Sequence, residues 1–245
     1  LTKVDEDQED VAHRLLHYNL SSIPVVDPRG VVVGIVTSDD ALEVLEGEGS
    51  EDALLLAGAG PESDASETTW HKVVKRGPML TIPVIAGLFM SWVMEKYAPG
   101  LARGAGDAAA AVDPAQDGTV GGAFTYIPMV LALSGTVGMQ TSAVLVRGFA
   151  VGQIVEGKRL RVFWSEVRAG SLLGLICAVV AVIAASITVP FAVAAAIGLS
   201  LMLAMTWTTT VASGIAMGTE AIGRDPAVVA GPLMIAVSDL SAVII

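Results

Sequence analysis

The sequence predicts a chain of two unlike parts, a small α/β module followed by an all-α membrane domain of five helices. Three observations carry that reading. Hydrophobic residues make up 53% of the 245 and charged residues only 16%, and the mean hydropathy of +0.66 exceeds that of a soluble domain. Charge is also divided unevenly: residues 1–70 hold sixteen Asp or Glu against three bases, whereas 71–245 hold nine acids and eleven bases. The apolar part contains long stretches without any charge, at 77–94, 118–146 and 169–219. A formal charge of −11 leaves no basic footprint for nucleic acid.

In the acidic part, residues 5–19 open with acids suited to a helix N-terminus, then place Val11, Leu15 and Leu16 at helical spacing. "SIPVVD" and "VVVGIVT" are β-branched runs separated by Asp27-Pro28-Arg29-Gly30, a turn by composition. A helix follows, with Ser38 as its N-cap and Gly47 and Gly49 expected to break it. His13 and His17 stand four apart, a spacing that can hold a metal. Leu16 between them and the lack of a nearby third ligand favour a solvated helix face. The acids Asp39, Asp40, Glu43, Glu46, Glu48, Glu51 and Asp52 crowd together, and their repulsion is relieved either by solvent or by bridging divalent cations.

Five spans are expected, at about 77–97, 119–150, 169–187, 190–213 and 226–245, with "SITVP" folding the longest apolar stretch in two. A linker, 58–76, joins them to the module, 1–57. Within the linker, Ser66-Glu67 followed by Trp70, Val73 and Val74 reads as a short amphipathic helix with a basic end at the membrane surface. His71, Lys72, Lys75 and Arg76 precede the first span, and Lys158, Arg159, Arg161 and Arg168 lie between the second and third. Basic loops stay cytoplasmic, so the module and the 156–168 loop lie inside and the 98–118 loop outside. The expectation is a multi-pass protein of the plasma (inner) membrane, embedded in the lipid bilayer. Both ends of the chain read as cut.

Cys177 is the only cysteine and lies in an apolar run, which leaves no disulfide or cysteine metal site. An enzyme is disfavoured by the lack of a G-x-G-x-x-G, a His/Glu metal pair or a supported Ser/His/Asp order. The second apolar stretch carries Ser134, Thr136, Gln140, Thr141 and Ser142, where polar groups face other helices or a watery path. Gln140, with four hydrogen-bonding sites, is the hardest to satisfy. Asp239 is the one charge in 226–245, at a cost of roughly 2.5–3.5 kcal/mol at bilayer depth. A cation, protonation or pairing with Arg147 would each offset that cost.

The run "SSIPVVDPRGVVVGIVTSDDALEVL" resembles the body of a CBS domain, here without its first strand. Such modules pair in tandem, so this one reads as the second, C-terminal copy. The resemblance implies that Thr37 and Asp40, in a G-x-x-T-x-x-D pattern begun by Gly34, contact the ribose of ATP or another adenine nucleotide. The same two residues are suited to cap the following helix, and the residues alone leave both readings open.

Beside such a module, the membrane part resembles the MgtE-type magnesium channels and transporters. Their second span carries a pattern close to G-G-N-[ST]-G-N-Q; Gly135, Gly138 and Gln140 match it, and Thr136 and Met139 replace the two asparagines. Their D-P-A…P…[ST]-D-[VL]-[ST]-G signature is met by Asp225, Pro226, Ala227, Pro232, Ser238 and Asp239, with Ala242 in place of glycine.

The resemblance implies a homodimer whose two Asp239 carboxylates share a hydrated Mg²⁺ on the axis, with Thr136 and Gln140 also lining the pore. It implies that Glu48, Glu51 and Asp52, with Asp40, sense intracellular Mg²⁺ and that a plug helix in the linker transmits the signal. The function expected is a Mg²⁺-gated channel importing magnesium. A cation-coupled secondary transporter and a membrane-anchored nucleotide sensor are the alternatives.

Overall fold

The computed structural model describes residues 1–60, 63–104, 124–224, 226, 227 and 236. They fall into two units that divide after Leu55. In the first unit, Asp7 caps helix α1 (Gln8–His17) by accepting a hydrogen bond from the Glu9 amide at 2.9 Å. The helix buries Val11, Ala12 and Leu15. Strands β2 (Ser22–Val26) and β3 (Val32–Thr37) pair antiparallel, from Ser22 opposite Thr37 to Val26 opposite Val32. The turn between them is built on Asp27, whose Oδ1 accepts from the Arg29 and Val31 amides at 2.8 Å each. Gly30 takes a φ of +81°, where a side chain would be strained.

Two sequence expectations for this unit are corrected. A first strand is present: β1 (Thr2–Lys3) lies parallel to β2, giving a sheet of order β1-β2-β3. Two residues are too short to show a period-two signal, which is why the sequence conceals it. Helix α2 (Ser38–Leu56) runs unbroken through Gly47 and Gly49. Each glycine costs about 1 kcal/mol against alanine, and the Glu, Leu and Ala residues around them keep the helix intact. The core is small, formed by Ala12, Leu15, Ile23 and Ala41 with Val36, Val44 and Leu45 against it. The outer face of β3 leaves Val32, Val33 and Ile35 exposed.

The second unit begins with α3 (Thr69–Arg76), which continues through a 3₁₀ turn at Pro78–Leu80 into α4 (Thr81–Gly104). Helices α5 (Ile127–Ala150), α6 (Arg159–Ala185) and α7 (Phe191–Ala221) follow. Among the described residues four segments are long and apolar enough to cross a membrane: Thr69–Tyr97, Ile127–Ala150, Glu156–Ala185 and Phe191–Ala221. The fifth expected span, 226–245, falls outside the described residues save for isolated positions. The 156–168 segment, expected as a loop, is a 3₁₀ turn followed by three turns of α6, and α7 extends eight residues past the expected 213 to Ala221. Charges on one side of an amphipathic helix end read as a loop when only hydropathy is followed.

The apolar core joins α5, α6 and α7 through Leu133, Val137, Leu173, Cys177, Leu201 and Met205. Helices α6 and α7 fold back on each other at "SITVP", as expected, with Pro190 capping α7. Small residues draw them together, since a membrane bundle gains by close backbone approach. A Cβ at Gly170 would lie 2.1 Å from Thr209 Oγ1, and one at Gly198 would lie 3.0 Å from the Ala178 carbonyl. Gly170→Ala should therefore destabilise the hairpin by about 1–3 kcal/mol, read as a lower unfolding temperature in detergent. An unchanged midpoint would mean that the pair parts without cost.

Candidate functional site

Helix α5 places most of its polar side chains inside the bundle. Ser134, Gln140, Thr141 and Ser142 are buried, as are Thr208, Thr209 and Ser213 of α7, the helix that packs on it. Thr209 donates to the Met205 carbonyl at 2.8 Å and Ser134 to that of Leu131 at 3.1 Å. Thr141, Ser142, Thr208 and Ser213 find no hydroxyl partner among the described residues. Unpaired buried polar groups each cost about 1–3 kcal/mol, so this stripe is suited to water, an ion's hydration shell or another helix rather than to lipid.

The two expected pore residues of α5 have different surroundings. Thr136 is half-buried and donates to its own helix at the Ala132 carbonyl, 2.7 Å away. Gln140 is fully buried; its Nε2 donates to the Gly58 carbonyl at 2.6 Å, while Oε1 accepts nothing from the described residues. Gly58 meets it with φ at +71°. Further along α5, a Cβ on Gly148 would lie 3.0 Å from the Ala65 Cβ, so the linker follows α5 over its second half. Asp239, together with Asp225, Pro232, Ser238 and Ala242 of the last motif, lies outside the described residues.

The strongest electrostatic feature of the second unit escaped the sequence reading. Lys72 and Arg76 of α3, expected at the membrane surface, are turned inward onto Glu166 of α6, and all three are at most 2% exposed. Arg76 grips the carboxylate with both terminal nitrogens, Nη1 to Oε2 at 2.7 Å and Nη2 to Oε1 at 3.1 Å. Lys72 Nζ donates to Oε1 at 2.8 Å, to Ser165 Oγ at 3.0 Å and to the Ala65 carbonyl at 2.8 Å. Burial is tolerated because each charge is paired and Lys72 Nζ has three acceptors, while Arg76 Nε finds no partner among the described residues. Trp70 and Val74 face outward instead. One signal was present: Lys72 and Arg76 are four apart around Val73, and Glu166 is the sole acid between Glu156 and Glu220.

In the first unit, Thr37 and Asp40 form a reciprocal capping box, which places the cap at Thr37 rather than Ser38. Asp40 Oδ2 accepts from the Thr37 amide at 2.8 Å and from its hydroxyl at 2.6 Å, and the Asp40 amide donates to Thr37 Oγ1 at 3.3 Å. The Thr37 hydroxyl first, and its amide second, hold the Asp40 carboxyl below the usual range. Glu6 is held at about 2 by the Thr2 hydroxyl, the Lys3 amide and Arg14. Asp40 and Glu6 line a cavity of about 440 Å³ with Lys3, Gln8 and Val44.

Both carboxyls are more acidic folded than unfolded, so their support is complete above about pH 4.5 and fades as pH falls, that of Glu6 towards about 2. Hydrogen-exchange protection of α1 and α2 should fall over that window, and Glu6→Gln with Asp40→Asn should flatten the fall. A profile identical to wild type would remove both groups from the account.

The expected sensing acids Glu48, Glu51 and Asp52 share one stretch of α2, and Glu48 accepts from Gln8 Nε2 at 3.1 Å. Asp40 stands two turns earlier and is occupied by its cap. Among the described residues no three His, Cys, Asp or Glu side chains gather into a metal-holding group. Glu48, Glu51 and Asp52 stand at i, i+3 and i+4, on one face of the helix, where like charges repel.

Comparison with known proteins agrees with both units. Residues 127–245 match the MgtE family, described as a divalent cation transporter, and residues 2–47 match the CBS domain. The chain is 27% identical over 246 residues to the magnesium transporter MgtE of Bacillus subtilis, covering 98% of this chain and 50% of that protein. It is 29% identical to the magnesium transporter MgtE of Thermus thermophilus over 253 residues, covering 99% and 51% respectively. That of Enterococcus faecalis is likewise 29% identical, over 99% of this chain and 50% of its own. The chain thus spans about half the length of the curated relatives it matches. With a CBS domain leading the apolar helices that carry the family's match, the chain is similar in both of its units to the MgtE family, described as divalent cation transporters.

Proposed function

We propose that the protein is a Mg²⁺ channel of the plasma membrane, working as a homodimer with its CBS domain in the cytoplasm. The observation that carries the reading is the buried polar stripe of α5 and α7, at Gln140, Thr141, Ser142, Thr208 and Ser213. Mg²⁺ gives up its waters reluctantly, and hydroxyls and a carboxamide suit contact through that water. Asp239 supplies the charge, one from each copy across the two-fold axis, and Thr136 and Gln140 stand on the approach. The relatives' names support magnesium as cargo. The function is transport and not catalysis.

Gating follows from charge. Mg²⁺ held between acids of the two copies, among them Glu48, Glu51, Asp52 and Asp40, draws the modules together, and its loss lets them repel. The Gln140–Gly58 hydrogen bond supplies a path from the linker to α5. Such coupling requires only that Mg²⁺ bind one arrangement better than the other. The cavity beside Asp40 is the place for an adenine nucleotide, if the CBS domain takes one.

The test is growth of a strain lacking Mg²⁺ uptake on low Mg²⁺, rescued by the full-length protein, followed by recordings in a planar bilayer. Single-channel currents support the channel. Saturating flux that needs a counter-ion favours the coupled transporter, and failure of rescue with nucleotide binding retained favours the sensor.

A further inference from the structure

A second pocket, apart from the ion path, is built against the first turns of α6. It has a volume of about 390 Å³ and lies between the linker at Ala65–Thr69 and the side chains of Lys158, in the preceding 3₁₀ turn, and Arg161, Ser165 and Arg168 of α6. On α6, positions 161, 165 and 168 fall on one helical stripe. Lys158, Arg161 and Arg168 are exposed and pair with no carboxylate among the described residues; Arg168 Nε donates to its own helix at the Trp164 carbonyl, 3.0 Å away.

The opposite wall is also electropositive. The Thr68 hydroxyl bonds to His71 Nδ1 rather than to the first amides of α3, so the N-terminal end of that helix carries no side-chain cap. The one acid in the lining, Glu67, has Oε1 taken by Lys75, while its buried Oε2 accepts nothing among the described residues. A phosphate fits the cationic walls, and a hydroxyl on the second carbon beyond it would fit Glu67.

Its level in the membrane narrows the source of that phosphate. The stripe begins the basic segment that charge places at the cytoplasmic leaflet. Trp164 and Trp70 are 54% and 66% exposed beside it, as amphipathic rings at headgroup level are. Below it, α6 exposes Ile176, Val179 and Ile183 towards the bilayer. Basic pockets between helices on this side of a membrane suit anionic headgroups.

We propose that this pocket binds the headgroup of an anionic phospholipid bearing a free hydroxyl, of the phosphatidylglycerol class. The phosphate sits on Arg161, Arg168 and Lys158, the headgroup hydroxyl donates to Glu67, and the acyl chains follow the outer face of α6. Because the linker forms one wall, a bound lipid holds residues 65–69 against α6.

The test is native mass spectrometry of the full-length protein in detergent with phosphatidylglycerol, phosphatidylmethanol, phosphatidylcholine or inorganic phosphate added. Phosphatidylglycerol should be retained over the other three. Arg161→Gln with Arg168→Gln should weaken its retention roughly thirtyfold, taking about 1 kcal/mol for each surface cation. Arg224→Gln, a cation outside the pocket, should leave retention unchanged. Both replaced arginines are exposed and free of ion pairs among the described residues, and an unchanged unfolding midpoint will confirm that the double variant is folded.

Equal retention of phosphatidylcholine, or a double variant that keeps phosphatidylglycerol as wild type does, overturns the proposal. Displacement of the lipid by inorganic phosphate overturns the lipid source and leaves a soluble anion as the occupant. Equal retention of phosphatidylmethanol overturns the role of Glu67.

Discussion

Glu166→Ala is expected to lower the stability of the membrane domain by about 3–5 kcal/mol and to free α3 from α6. The loss is large because two cations, Lys72 and Arg76, would stay buried with no anion between them. Glu166→Gln should fall between the two, since the amide oxygen accepts one hydrogen bond while the charge is gone. A rescue separates this from simple loss of packing: Lys72→Met and Arg76→Met added to Glu166→Ala should recover most of the stability, because apolar residues replace buried ion triads without loss in many proteins. The measurements are thermal unfolding in detergent and protease cleavage within 65–69. Stability within 1 kcal/mol of wild type for the single variant would show that the triad is solvated in the membrane.

On the proposed function, Asp239→Asn is expected to abolish Mg²⁺ uptake while leaving membrane insertion intact. Asp239 is the only charged residue in 226–245, and an amide there costs less than a carboxylate in an apolar setting. A purely structural carboxylate would behave in the opposite way, since its loss would improve stability and spare transport. Growth on low Mg²⁺ and uptake into vesicles decide it: transport at half the wild-type rate or better would remove Asp239 from the ion path. Asp239→Glu provides a second arm, retaining charge while moving it by one methylene.

The architecture was legible wherever the signal was long and repetitive. Four of the expected spans coincide with apolar helices, and the fold-back at "SITVP" lies where hydropathy and proline placed it. The two paired strands and the turn between them lie where the β-branched runs and Asp27–Gly30 placed them, whereas the register shift at Val25 and Val26 left no sequence signal. Boundaries were missed where a helix outlives its apolar stretch: α6 starts ten residues before 169 because Arg161, Ser165 and Arg168 occupy only one side of it. The glycines at 47 and 49 misled for a related reason, because local propensity is weaker than the helix around it.

The site was legible unevenly. Gln140 was singled out for its unsatisfied carboxamide and is indeed buried, but its partner, the Gly58 carbonyl, comes from 82 residues away. A contact that distant leaves no trace in spacing. Thr37 and Asp40 were read two ways, and the structure engages them with each other. The Lys72–Arg76–Glu166 cluster was missed because bases before a span are ordinarily topology signals. Only the fold reveals that two of them face the protein.

The glycines at 170, 174 and 198 let α6 and α7 seat closely, with Thr209, Met202 and Val182 occupying the space a Cβ would take. Sliding one past the other would need every one of those fits to part together. That pair therefore serves as a stiff post, and any opening motion has to fall on pieces fastened by reversible polar clasps, the linker and α3 first among them.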